Sequence, residues 1–225
     1  MKAIQRPLVL VAFAAAACAS APQRPPNLFD VQKQVEDYIS SGRYESDVAV
    51  VTARARAYLE ERVRQVARPA IVLDIDETSL SNWQAYRANG WGRVLDGDCD
   101  LEHGPCGLRA FQGMGRSPAI PPTLALARRA HELGAAVFFI TGRPESLRAA
   151  TERNLREQGF AWDGLILRAE GASSASAADF KAPARGELER QGYTVLLTLG
   201  DQESDLLGGH AERAFKLPNP VYYLP

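Results

Sequence analysis

The apolar positions of this chain change rhythm three times, and each change predicts a different kind of element. Over residues 28–39 they return as Leu28, Val31, Val35, Tyr38 and Ile39, close to the spacing of one helix face, until Ser41 and Gly42 break the pattern. Residues 44–66, rich in Ala and Arg, predict a second helix that ends before Pro69. The rhythm then becomes a short unbroken apolar run at residues 70–73, read as a buried strand, which leads directly into Asp74, Asp76 and Glu77. Residues 82–118 hold Trp83, Tyr86, Trp91 and Phe111 among many Gly and Asp residues with no steady period, and read as an irregular insertion. From Pro121 onward the pattern is regular. Predicted helices at 121–133, 144–158 and 179–191 alternate with apolar strands at 135–140, 165–167 and 193–199, with a small-residue loop at 171–178. A short helix at 203–207 and an edge strand at 214–217 complete the series.

Strands and helices alternating at this spacing predict an α/β fold. It is a doubly wound, mostly parallel, Rossmann-like sheet with helices on both faces and a cap insertion, residues 82–118, after the first strand. Ligands bind such sheets beyond the carboxyl ends of the strands. Polar or acidic residues fall at that edge in three places: Asp74 with Asp76, Thr141, and Asp201 with Asp205. A buried strand that ends in carboxylates is costly unless a metal, backbone donors or a substrate compensates them, so this edge is where chemistry is expected.

Composition narrows the function classes. A chain of 225 residues with 46% hydrophobic content buries one substantial core, and 26 basic against 27 acidic residues leave a net charge of −1. No global field favours a nucleic-acid polymer, and the arginines of residues 54–68 are interleaved with acids and apolar residues as on a solvated helix face. At the amino terminus, Lys2 and Arg6 precede an apolar core and small residues, the layout of a secretory signal peptide. Within it, Ala15, Ala16, Ala17 and Cys18 resemble a bacterial lipobox, so residues 1–21 are read as a signal with Cys18 as a lipidation site; cleavage at the small residues 19–21 is the other reading. Residues 22–27 form a Pro-rich linker and residues 28–225 the folded domain. The expected location is therefore exported: a bacterial outer-membrane lipoprotein facing the periplasm or the surface, otherwise periplasmic or secreted, held to the membrane by the lipid alone. In an oxidising compartment Cys99 and Cys106 predict a local disulfide; the alternative is a zinc site with His103, which lacks a fourth ligand. Asp96, Asp98 and Asp100 imitate a calcium loop, but Leu101 and Gly107 stand where that loop needs Gly and Glu.

Four motifs then follow in order: DIDET from Asp74, TGR from Thr141, Lys181 in FK, and GDQESD from Gly200. Together they resemble the haloacid dehalogenase superfamily of phosphohydrolases. ITGR, the FK at Phe180, GDQESDLLG and the tail FKLPNPVYYLP resemble more closely its exported acid phosphatases of class B or subfamily IIIB, a family that includes plant vegetative storage proteins and bacterial lipoprotein phosphatases. The resemblance covers about residues 28–225 and implies a magnesium-dependent acid phosphatase acting on small phosphomonoesters through an aspartyl-phosphate. A storage or binding protein on the same fold, which loss of Asp74 would favour, and a phosphotransferase using the same intermediate are the alternatives.

The chemistry needs a nucleophile in line with the ester oxygen, a proton donor for the leaving alcohol and positive charge around the phosphate. Asp74, first after the strand, fits the nucleophile, and Asp76, two residues on, the acid that later activates water. A carboxylate attacking a phosphate dianion calls for a divalent cation. The resemblance gives Mg2+ on the Asp74 side chain, the Asp76 main-chain carbonyl and Asp201, with Asp205 holding a bound water or orienting Lys181. Thr141, Gly142, Arg143 and Lys181 are expected around the phosphate, and Arg185 is a weaker candidate. The insertion aromatics either stack on an aromatic leaving group or form the insertion's own core. Glu77 is expected to start a helix and take no direct part; His131 and His210 are expected at the surface.

Overall fold

The computed structural model describes residues 25–171 and 177–224. The predicted signal and lipidation site, the first half of the linker and part of the small-residue loop lie outside the described residues. Among the described residues seven α-helices run in chain order: α1 (Leu28–Ser40), α2 (Arg43–Arg62), α3 (Trp83–Ala88), α4 (Leu108–Met114), α5 (Pro121–Glu132), α6 (Arg148–Glu157) and α7 (Ala177–Arg190). They interleave with β1 (Pro69–Leu73), β2 (Ala136–Pro144), β3 (Gly164–Arg168), β4 (Thr194–Gly200) and β5 (Arg213–Lys216). The strands form one sheet in the order β3-β2-β1-β4-β5, every pair parallel. The α/β, doubly wound class is thus what the chain adopts, with the first strand at the centre.

Alternation along the strands divides the core. Ile71, Leu73, Val137, Phe139, Leu197 and Leu199 join one apolar cluster with residues of α2, α5, α6 and the insertion. Ala70, Val72, Phe138, Ile140 and Val195 face the other way, onto Leu188 and Phe180 of α7. Each buried Val, Leu, Ile or Phe side chain contributes roughly 1.5–3 kcal/mol, so this two-sided burial is what holds the sheet edge rigid. Two local signals set the helix ends that feed it. Pro121 and Pro122 open α5 where no helical N–H donor is needed, and Gly134, at φ +80°, turns the chain from α5 into β2.

The predicted boundaries shift where tertiary pairing outweighs local signals. The helix expected over residues 44–66 stops at Arg62, because the chain must turn through Arg68, at φ +45°, to enter the centre of the sheet. β2 does not end at residue 140. It continues through Thr141, which pairs with Leu167 of β3, and after an irregularity at Gly142 and Arg143 Pro144 pairs with Arg168. The following helix therefore begins as a 3-10 turn, Glu145–Leu147, and becomes α-helical only at Arg148. No helix starts at Glu77 either: residues 77–79 form a turn in which Glu77 takes φ +55°. Residues 203–207 hold a single 3-10 turn, Glu203–Asp205. Among the described residues no helix is long and apolar enough to cross a membrane.

The insertion is continuous with the core rather than a separate unit. Trp83, Tyr86, Leu108 and Phe111 are buried in the same cluster as β1, and Trp83 meets Tyr44 of α2 edge-on at 5.2 Å. Cys99 and Cys106 are joined by a disulfide that closes its outer loop.

Candidate active site

The register of the sheet assembles the site. Leu73 pairs with Phe139 on one side and Leu199 on the other, so Asp74 emerges at the carboxyl edge between β2 and β4. Its N–H is fixed by the Leu199 carbonyl at 2.9 Å. One strand over, Gly200 ends β4 and Asp201 follows; Asp205 is brought back against the same edge by the 3-10 turn. That return requires Gly200. A Cβ there would stand 2.6 Å from Asp205 Cγ and nearer still to its Cβ. The Asp205 carboxylate also accepts the Gln202 N–H at 2.9 Å, closing the turn as a capping box.

Asp74, Asp201 and Asp205 are all buried and offer carboxylate oxygens within 4.8 Å of one another. Lys181, from the first turns of α7 and itself buried, donates to Asp74 and, at 2.6 Å, to Asp205. One ammonium against three carboxylates leaves the cluster short of positive charge, and the acidities show it. Burial pushes the Asp74 carboxyl well above its usual range; Lys181 opposes this, while Asp205, Asp201 and Asp76 add to it. Burial, then Asp205, raises Asp201 to about 6 against the pull of Asn219, Gln202 and Lys181. For Lys181, burial is outweighed by Asp205 and Asp74, and its ammonium is held above the ordinary lysine range. Three converging oxygen donors lacking charge compensation fit a hard divalent cation.

Asp76 stands apart from this cluster. Its Oδ1 accepts from Arg143 Nη2 at 2.7 Å and Nε at 3.0 Å, from Asn82 Nδ2 at 2.8 Å and from Gln112 Nε2 at 3.0 Å. Burial alone would raise its pKa, but the charge and hydrogen bonds of Arg143, helped by Asn82, win and hold the carboxyl below its usual range. The Asp76 side chain is thus committed to these donors and is not one of the three converging carboxylates.

Two residues expected at the phosphate are committed elsewhere. The Arg143 side chain is buried at the cavity wall between Asp76 and Thr151, whose Oγ1 accepts from Nη1 at 3.2 Å, so its guanidinium braces Asp76. Arg185, also without exposed surface, donates to main-chain carbonyls of Gly209 at 2.9 Å, Asp205 at 2.8 Å and Leu207, and ties down the turn that carries Asp205. Thr141 caps no helix. Its hydroxyl accepts the Arg143 N–H at 3.1 Å, leaving its proton without an acceptor among the described residues.

These side chains surround a cavity of about 510 Å3 lined by Asp74, Asp76, Gly142, Lys181, Asp201 and Asp205 at its acidic end. Thr141 lies beneath that wall rather than on it. Tyr86 is the one insertion aromatic on the wall; Trp83, Trp91 and Phe111 are packing residues.

Residues 15–225 match the family model described as HAD superfamily, subfamily IIIB (acid phosphatase). The chain belongs to that subfamily. Over 193 residues, 84% of this chain and 73% of the relative, it is 35% identical to the Stem 28 kDa glycoprotein of Glycine max. It is 32% identical, over the same shares of both chains, to Acid phosphatase 1 of Solanum lycopersicum. The fold is shared with the class C acid phosphatase from Bacillus anthracis, at a TM-score of 0.69, 20% identity and coverage of 87% of this chain and 86% of that one.

Several residues of the phosphatase that hold this site carried no periodic signal. Asn219, in the tail, donates to Asp201 Oδ2 at 2.7 Å, and Gln202 donates to the same oxygen at 2.6 Å; Thr78 Oγ1 donates to Oδ1 at 3.1 Å. Glu77 is buried beneath them. It accepts from the Asn82 N–H and the Tyr222 hydroxyl, both at 2.7 Å, and burial, then Asp76 and Asp201, raises its pKa to about 8. The motifs contain them all the same: DIDET holds Glu77 and Thr78, GDQESD holds Gln202, and the tail FKLPNPVYYLP holds Asn219 and Tyr222. His131 and His210 pair with Asp163 and Glu189 at the surface, away from the cavity.

Proposed function

We propose that the phosphatase hydrolyses small phosphomonoesters with magnesium, through an aspartyl-phosphate on Asp74. The observation that carries this reading is the convergence of Asp74, Asp201 and Asp205 with Lys181 among them at the floor of an open cavity. The side chains of Asp74, Asp201 and Asp205 and the Asp76 carbonyl would hold the ion, which supplies the positive charge that lets a carboxylate approach a phosphate dianion. An Asp74 oxygen then attacks phosphorus as the bond to the leaving oxygen breaks, and Asp76 gives that oxygen a proton. In the second half Asp76 takes a proton from water, the water oxygen attacks phosphorus, and the bond to Asp74 breaks to release inorganic phosphate.

Lys181 neutralises Asp74 and the phosphate, while the Gly142 region on the cavity wall donates to phosphate oxygens. Arg143 favours the ionised form of Asp76. A phosphate dianion arriving beside Asp76 raises its proton affinity, and acidic solution works in the same direction, which supports operation at low pH. The test is hydrolysis of phenyl phosphate by the full chain with and without Mg2+. Magnesium-dependent turnover that Asp74→Asn abolishes is expected; turnover unaffected by chelation would overturn the metal assignment.

Export with a lipid on Cys18 belongs to the same proposal. The Cys99–Cys106 disulfide supports an oxidising compartment, and Pro-rich residues 22–27 suit a tether between lipid and enzyme. A mass spectrum of the purified protein should show a lipidated amino-terminal cysteine, and an unmodified terminus at Pro22 would contradict it.

A further inference from the structure

Beyond the reaction centre, every charged residue on the cavity wall among the described residues is an arginine: Arg93, Arg109 and Arg168. The four acids on that wall are Asp74, Asp76, Asp201 and Asp205, all engaged in the chemistry. Leu95, Leu108 and Tyr222 add apolar and aromatic surface to the same wall, beside the amides Gln112 and Gln202. A substrate whose phosphate lies at Asp74 therefore shares the cavity with three guanidinium groups.

The three arginines come from different elements, yet each has a fixed base. Arg93 lies over the Tyr222 ring at 5.2 Å, and that ring is anchored by its hydroxyl to buried Glu77 at 2.7 Å; no carboxylate pairs with Arg93 among the described residues. Arg168 is the last residue of β3 and stands in register with Pro144, which is also on the wall. Arg109 sits in the first turn of α4 and shares an exposed ion pair with Asp96 at 2.5 Å, a contact weak enough in water to be exchanged for a ligand. Arginine presents a planar fork that matches carboxylate or phosphate oxygens, and a cleft of one sign concentrates ions of the other.

We infer that this rim is a subsite for a second anion, so that the preferred substrates are phosphomonoesters whose leaving group ends in a further phosphate or carboxylate. The inference rests on the phosphatase reading above and specifies the substrate class for the same site.

Three probes of one shape separate the possibilities: phenyl phosphate, 4-carboxyphenyl phosphate and 1,4-phenylene bisphosphate. With the full chain and Mg2+, kcat/KM for at least one anionic probe should exceed that for phenyl phosphate by about fivefold or more, and the ratio should shrink as salt rises. In Arg93→Gln/Arg168→Gln the ratio should fall toward one. A preference for the bisphosphate alone identifies the second group as phosphate, and a preference for both identifies an anion of either kind. Equal kcat/KM on all three probes, or a preference that survives the double substitution, overturns the subsite while leaving the phosphatase reading intact. No hydrolysis of any probe overturns that reading and the subsite with it.

Discussion

Replacing Arg143 with Met keeps much of the side-chain volume and removes the charge that holds Asp76. The Arg143 side chain has no exposed surface, and Asp76 retains 19%, so the pair is largely dry. Removing one partner of a buried pair costs roughly 3–5 kcal/mol when the other stays charged, and about 3 kcal/mol is expected here because Asp76 keeps some water. The cost depends on pH. In the native protein the Asp76 pKa lies below its unfolded value, so its contribution to stability is complete above the unfolded pKa and is lost as pH falls through the folded one. Without Arg143, burial is the largest influence left, and the folded pKa rises above the unfolded value of about 3.9. The variant therefore loses stability as pH rises through that raised pKa. Urea unfolding of both proteins in the presence of a chelator should give a deficit near 3 kcal/mol at about pH 7.5 that shrinks to about 1 kcal/mol, the lost hydrogen bonds, near pH 4. Equal deficits at the two pH values would refute the idea that Arg143 serves to hold Asp76 ionised.

Gly200→Ala forces Asp205 off the turn, with an expected loss of about 2 kcal/mol and a fall in Tm of about 6 °C, read by calorimetry; an unchanged Tm would show that the turn adapts. Asn219→Ala removes one of the two amide donors on Asp201 Oδ2, and titration calorimetry with Mg2+ should show affinity lowered by about tenfold, whereas unchanged affinity would make the tail a bystander.

The sheet and its working edge were legible because burial imposes a rhythm on sequence. A strand covered on both faces reads as an apolar run, and residues 70–73, 135–140 and 193–199 do so; Asp74 and Asp201 are conspicuous because they break such runs. The braces outside the motifs were not legible. Asn82 and Gln112 act across loops, where no period is imposed, and an amide has no preferred sequence neighbour that reveals its partner. Glu77 was misplaced because an acid after a strand looks like a helix start, whereas here the chain makes a left-handed turn and buries it under Tyr222. Its place in TGR sets Arg143 among the residues expected around the phosphate. The continuation of β2 past Thr141 aims it at Asp76 instead, and that depends on pairing with β3, which local sequence does not encode.

The central claim is that Asp74 carries the phosphoryl group. Rapid acid quench during turnover of phenyl phosphate, followed by borohydride reduction and peptide mass spectrometry, tests it directly, because an acyl phosphate is reduced to the alcohol and marks its own position. Homoserine at position 74, appearing only with substrate, is the predicted result. Homoserine at another acid, or steady hydrolysis by Asp74→Asn, would contradict the account.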